Sequence, residues 1–296
     1  MKVLITGISG MLGVDLYQTL REKYEVVGFD IKDFPSTSFL PPPVQRGDIT
    51  RIDEVKRAFH ELTPDLVVHT AAYTDVDGCE KNPDKAYKVN ALGTRNVCLA
   101  CQDLNIPVIY ISTDFVFDGK KDSPYLEFDQ PHPISIYGRS KLAGEEYIKT
   151  LLNKYFIVRT SWLYGYYGRN FVETILQLAS QKKELKVVND QVGSPTYTRD
   201  LSEKIKELLP TELYGVYHIT NSGSCSWYEF AREILKLADI KGAQLKSITS
   251  EELSRPAPRP RFSVLENYCL KLTLRNSMRD WKEALRDYML ERGSNT

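Results

Sequence analysis

Tyr137 and Lys141 stand four residues apart in the segment YGRSK, inside a run whose apolar spacing predicts a helix over 137–152. Residues at i and i+4 share one helix face, one turn apart. A phenol with a pKa of about 10 is a poor acid near neutrality, and a neighbouring ammonium stabilises the phenolate and lowers that value. Such a pair can pass a proton to a carbonyl oxygen as hydride reaches the carbon, and the lysine can bond the ribose of a nicotinamide. The spacing alone also arises by chance in surface helices. Thr113 adds support: Ser112-Thr113-Asp114 closes the apolar run VIYIS, 24 residues before Tyr137. A hydroxyl at a strand end can orient the same substrate oxygen. Thr113, Tyr137 and Lys141 are the catalytic candidates.

A second constellation lies at the start of the chain. Gly7, Gly10 and Gly13 form G-x-x-G-x-x-G between a first apolar run and a first helical pattern. A pyrophosphate needs close approach to a tight turn, and a helix N-terminus offers it free N–H groups and a positive dipole end. Gly7, Gly10, Met11, Leu12 and Gly13 are therefore cofactor-binding candidates, together with Tyr137 and Lys141. Asp30 ends the second strand pattern, about 20 residues on, where a carboxylate accepts from ribose hydroxyls and repels a 2′-phosphate. It favours NAD(H), while Lys32 and Lys23 leave NADP(H) open. Asp48 and Ile49 follow the third strand region beside the expected adenine. Ala71, Ala72 and Tyr73 follow DLVVH, where small residues let a cofactor lie against the backbone. His69 reads as strand-end packing.

These groups need a frame that brings strand ends together. Short apolar runs at Lys2–Thr6, 25–29, 65–69, 108–112 and 156–159 alternate with helical patterns at 12–21, 52–62, 81–104 and 137–152. That alternation predicts βαβ units and a parallel sheet covered on both faces. Further on, helices are expected over 170–180, 198–209, 226–238 and 280–290, with a strand at 185–188; Ser226 and Glu229 form a capping box. The loop RPAPRPRF, 255–262, cannot be helical. It gathers three guanidiniums, Arg255, Arg259 and Arg261, and arginine suits phosphate.

Bulk properties set limits. Over 296 residues, 39 Lys and Arg balance 39 Asp and Glu, so no global basic field draws nucleic acid or anionic lipid. No apolar run reaches the length of about 18 residues that spans a membrane, and no leader pattern is present, so a cytoplasmic protein is expected. Five scattered cysteines argue against a disulfide scaffold, and Cys98 and Cys101 read as helix packing rather than a metal site.

The segments GISGMLG, HTAAYTDVDGCE, STDFVFDG, YGRSKLAGE, RTSWLYG, NDQVGSPT, GVYHITNSG and RPRFSVL resemble the extended short-chain dehydrogenase/reductase family over nearly the whole chain. The resemblance implies an α/β fold: a Rossmann-type doubly wound parallel sheet with a smaller C-terminal α/β substrate-binding domain. The expected division is 1–160 plus parts of 185–220 for the cofactor, and a discontinuous 161–296 for the substrate. Its nearest branch implies NAD(P)H-dependent reduction of the 4-keto group of a nucleotide-linked sugar, dTDP-4-dehydro-L-rhamnose to dTDP-L-rhamnose. Tyr137 is then the proton donor, Lys141 its partner and Thr113 the assisting hydroxyl. Trp162, Arg259, Thr113 and Asp114 meet the sugar nucleotide, and a homodimer is compatible with the pattern.

Two relatives of the family offer rival readings. A dehydratase or epimerase needs more acid–base groups, yet Asp114 is followed by Phe115, which cannot carry a proton. A non-catalytic NADP-binding regulatory subunit of methionine adenosyltransferase shares the fold, but the intact Thr113/Tyr137/Lys141 set favours catalysis. Some family members bind a divalent metal between subunits through acidic residues. Asp15 matches one of those carboxylates, but Arg199 stands where another is expected, so no metal is expected here.

Overall fold

The computed structural model describes residues 1–37, 39–181, 183–275 and 278–294. Six strands of the first half are β1 (Lys2–Thr6), β2 (Glu25–Asp30), β3 (Val44–Arg46), β4 (Leu66–His69), β5 (Val108–Thr113) and β6 (Tyr155–Thr160). Short strands β7 (Leu163–Tyr164), β8 (Glu184–Val188), β9 (Val192–Gly193) and β10 (Thr196–Tyr197) come next, then β11 (Gly215–His218), β12 (Cys225–Ser226) and β13 (Gln244–Ile248). A seven-stranded sheet runs β11-β6-β5-β4-β1-β2-β3, and every pairing in it is parallel. Alternate residues of each strand face opposite cores. Val3, Ile5, Val68 and Ile109 pack on one side, and Leu4, Val67, Val108 and Tyr110 on the other. Burial on both faces is why these strands read as unbroken apolar runs.

The helices are α1 (Met11–Leu20), α2 (Ile52–Leu62), α3 (Val76–Lys81), α4 (Pro83–Tyr87), α5 (Thr94–Leu104), α6 (Ile136–Leu151), α7 (Phe171–Gln181), α8 (Thr198–Leu208), α9 (Trp227–Leu237), α10 (Ser250–Leu253), α11 (Tyr268–Leu274) and α12 (Trp281–Ser294). The single helix expected over 81–104 is in fact two α-helices, α4 and α5, joined by a widened π turn, Lys88–Gly93, and separated from the preceding α3 at Asn82. Pro83 makes that break, because it has no N–H to donate, and the Asn82 side chain caps α4 by accepting from Lys85 N at 3.1 Å. Within the π turn, the Asn90 side chain takes the Tyr73 N–H at 2.7 Å. Cys98 and Cys101 are free and buried in α5, beneath the sheet. The box at the start of α9 is complete, with Ser226 and Glu229 each accepting the other's backbone N–H.

Beyond β6 a separate core forms from α7, α9, α12 and the parallel pair β8–β13, around Val172, Ile175, Phe230, Ile234 and Leu285. Strand β11 leaves this region to join the edge of the main sheet through Val216↔Ile157. The chain order reverses between β1 and β4, and a parallel sheet opens a crevice at that point, beyond the carboxyl ends of the strands. Among the described residues, no helix is long and apolar enough to cross a membrane.

Candidate active site

The glycine turn occupies that crevice. Gly7 has φ +75°, and a Cβ there would stand 2.6 Å from Ala71 N. A Cβ on Gly13 would strike the Ile8 backbone at 2.7 Å. No side chain caps the first turn of α1, so its N–H groups point free toward the crevice, where the helix dipole is positive. That cradle fits a nucleotide pyrophosphate. Leu12 sends its side chain into the core, which leaves only its backbone for a ligand, and Met11 packs under Gly165 and Gly168.

Asp30 stands beside the turn as expected, but both of its oxygens are engaged. One takes Ser9 N at 2.9 Å and the other Lys32 N at 3.0 Å. Asp48 holds its own loop through Thr50 N at 2.8 Å, and Ile49 is a core residue whose carbonyl accepts from Asn96 at 2.9 Å. Ala71, Ala72 and Tyr73 line the exit of β4, partly exposed. His69 is buried between Thr6 and Thr94, and burial drives its pKa down to about 3, so it stays neutral.

Thr113 ends β5 and Tyr137 lies in the first turn of α6, with Phe115 between them: its ring stands edge-on to Tyr137 at 5.6 Å. Thr113 Oγ1 also donates to Asp114 at 3.0 Å and accepts from Phe115 N at 3.1 Å. Lys141 lies one turn below, buried, donating to the Ile111 carbonyl at 2.7 Å with its ammonium 4.1 Å from the Tyr110 ring centre. Desolvation pushes the Tyr137 phenol up, and Lys141 is not among the groups that shift it; Thr113 is the one that pulls it down. Lys141 is itself lowered to about 7 by burial, with Glu145 opposing that shift. The cause is direction: the ammonium turns to a strand carbonyl rather than to the phenol.

Asp114 also differs from the direct substrate contact expected of it. It is buried, Ser263 donates to it at 2.6 Å, and desolvation lifts its pKa to about 6. It braces Thr113 from behind. Beside it opens a cleft of about 720 Å³ whose walls include Asp77, Phe115, Trp162, Arg169, Trp227 and Arg259, while Thr113 and Tyr137 lie next to that lining rather than in it. Trp162 adopts φ +49°, unusual for a residue with a Cβ, and stacks on Trp227 at 3.5 Å and 5°. Gly193 makes room, since a Cβ there would be 2.5 Å from the Trp162 ring.

Arg259 reaches the cleft wall with its charge already matched. It forks onto both Asp77 oxygens at 3.1 Å. Arg255 also lines the cleft, whereas Arg261 is exposed. Sequence reasoning missed Phe115, Trp227, Arg169 and Lys186. Only Trp227 had a signal, an aromatic placed directly after the Ser226 cap.

Asp15 is buried and hydrogen-bonded by Thr198, and Arg199 pairs with Glu291. A guanidinium is a donor only and cannot ligate a cation. Among the described residues, no three His, Cys, Asp or Glu side chains are grouped to hold a metal.

The RmlD substrate binding domain family matches residues 1–293. The spore coat polysaccharide biosynthesis protein SpsK of Bacillus subtilis is 43% identical over 294 residues, 99% of this chain and 98% of that protein. A dTDP-4-dehydrorhamnose reductase structure from Clostridium acetobutylicum is 44% identical with TM-score 0.92, covering 99% of this chain and 100% of that one. The Bacillus anthracis dTDP-4-dehydrorhamnose reductase in complex with NADP is 45% identical with TM-score 0.90, covering 98% and 99%. Curated dTDP-4-dehydrorhamnose reductases match nearly the full length as well. The chain is an oxidoreductase similar to these reductases, and it belongs to the RmlD substrate binding domain family.

Proposed function

We propose that this chain reduces the 4-keto group of dTDP-4-dehydro-L-rhamnose to give dTDP-L-rhamnose. The observation that carries the reading is the placement of Thr113 at the end of β5 and Tyr137 at the start of α6 on either side of Phe115, which lines an aromatic cleft. When bound, a reduced nicotinamide supplies the hydride. Gly7, Gly10, Gly13 and the N-terminus of α1 hold its pyrophosphate, with 1–160 and β11 forming that half of the molecule. Tyr137 gives the hydroxyl proton to the carbonyl oxygen, and Thr113 orients that oxygen. Lys141, fixed to Ile111, is the donor that faces the ribose side of the crevice. Trp162 and Trp227 hold the flat parts of the sugar nucleotide, and the cationic residues of the cleft, Arg255 and Arg259 among them, meet its diphosphate.

Both NADH and NADPH serve. Asp30 spends its oxygens on Ser9 and Lys32, which weakens discrimination by the ribose, and the Bacillus anthracis relative was crystallised with NADP. The test is reduced-cofactor consumption with dTDP-4-dehydro-L-rhamnose, with the product identified by NMR. Consumption of either cofactor with formation of dTDP-L-rhamnose is expected. A chain that binds cofactor tightly yet consumes none would overturn the reading.

A further inference from the structure

Tyr137 sits one residue into α6, so the first turn of that helix sets where its hydroxyl stands. N–H groups in a first turn have no partner inside the helix. Gly138 N is taken by Ser135 of the same segment at 3.1 Å. Ile136 N is taken by Glu80 Oε2 at 3.0 Å, from α3, 56 residues earlier. The two N–H groups on either side of Tyr137 therefore end on fixed acceptors. The first turn of α6 carries no acidic residue of its own, so Glu80 also brings the negative charge that a helix N-terminus favours.

α3 is held in place by other contacts. Asp75 caps it by accepting from Gly78 N at 2.9 Å. Asp77 takes Arg259 and also Ala257 N at 3.2 Å, which ties the helix to the substrate-side loop. Glu80 thus connects an anchored strut to the start of the catalytic helix. On the other side, Gly138 lies against the Phe115 carbonyl with no room for a Cβ, and Phe115 N is bonded to Thr113. The start of α6 is held between Glu80 and the Thr113 loop.

We propose that Glu80 is a positioning residue: by holding Ile136 N it sets where the Tyr137 hydroxyl stands beside the Thr113 loop. The inference rests on Tyr137 being the proton donor. Small misplacement of a reacting group costs rate out of proportion to affinity.

The test is a cycle of Glu80→Ala and Glu80→Gln in the wild-type and Tyr137→Phe backgrounds, with melting temperatures recorded to show that each variant is folded. Glu80→Ala should lower kcat about tenfold, with KM for the sugar nucleotide and for the cofactor nearly unchanged. Glu80→Gln, whose amide oxygen still accepts the N–H, should restore most of the loss. In the Tyr137→Phe background, Glu80→Ala should cause no further fall, because the group it positions is gone. Wild-type kcat in Glu80→Ala, or the same factor lost in both backgrounds, overturns the proposal and leaves the Tyr137 reading standing. Tyr137→Phe at full turnover overturns the proton-donor reading, and the role of Glu80 with it.

Discussion

The two walls of the site are built by different means. On the sheet wall every group sits at the end of a strand or the start of a helix: Gly7 after β1, Asp30 closing β2, Thr113 closing β5, Tyr137 opening α6. Backbone geometry places them, with Glu80 on Ile136 N the one long-range side-chain support described for Tyr137. On the cleft wall, pairs of side chains place each other across long separations. Arg259 meets Asp77 over 182 residues, Ser263 meets Asp114 over 149, and Trp162 stacks on Trp227 from a separate core. The first wall is rigid because a parallel sheet is rigid. The second depends on each partner being present, so a single substitution there disturbs two residues.

The largest effect is expected on the sheet wall. Tyr137→Phe keeps the ring and its packing on Phe115 but removes the transferable proton. Turnover should fall by roughly 10²–10⁴, the range for a lost general acid, while cofactor affinity measured by fluorescence titration stays near wild type. Unchanged turnover would mean that this wall supplies shape only.

The cleft wall should respond through KM. Arg259→Ala removes a guanidinium that is only 13% exposed and leaves Asp77 without its fork. KM for the sugar nucleotide should rise about tenfold or more, a loss of roughly 1.5–3 kcal/mol of charged hydrogen bonding. KM for the cofactor should not move. If both constants rise together, the loop supports the whole fold rather than the substrate.

Lys141 offers a test by pH. Its folded-state pKa lies below the ordinary lysine value, at about 7. Between that value and the unfolded one, the unfolded chain binds the extra proton, so this residue makes the fold more stable as pH rises through the window and less stable as it falls. In the cofactor-free protein, the melting temperature of wild type relative to Lys141→Met should climb from pH 7 toward pH 9. His69 stays neutral throughout and Glu145 is held ionised by Arg159, so neither adds a slope there. A flat difference would show that the ammonium is not desolvated.

Much of the sheet wall was legible in the residues alone. Apolar runs without alternation marked the strands, and the G-x-x-G-x-x-G and Y-x-x-x-K spacings marked the turn after β1 and the opening of α6. The break at Asn82-Pro83 was visible in principle, since proline stops a helix, yet the strong apolar period beyond it hid the interruption. The directions of side chains were not legible. Nothing local tells Lys141 to turn to Ile111, Asp114 to turn back to Ser263, or Trp162 to find Trp227, because each choice is made by a residue far along the chain.

Asp30 lies where the two kinds of information meet. Its position was readable, but its bonds to Ser9 and Lys32 were not. Asp30→Ala should raise the ratio of kcat/KM for NADPH over NADH a few-fold, by removing repulsion of a 2′-phosphate, and should weaken both cofactors by loosening the glycine turn. Loss of NADH alone, with no change for NADPH, would mean that the carboxylate serves the ribose and not the turn.

The smallest effect, none at all, is expected on removal of metal. Asp15 is buried, accepts from Thr198 and is lifted by burial to a pKa of about 6. Arg199 beside it is occupied by Glu291, so a fixed cation already stands among the acidic groups. Adding a divalent ion would place like charges together without gaining a ligand, because guanidinium has no lone pair to give. Turnover should therefore survive EDTA and dialysis, and added Mg²⁺ should change neither rate nor assembly measured by sedimentation. Arg199→Glu sharpens the point: it exchanges the fixed cation for a third carboxylate beside Asp15 and Glu291, and assembly of that variant should become sensitive to Mg²⁺. Wild-type activity lost to EDTA and restored by Mg²⁺ would show that the ion binds elsewhere and that the Arg199–Glu291 pair does not stand in for it.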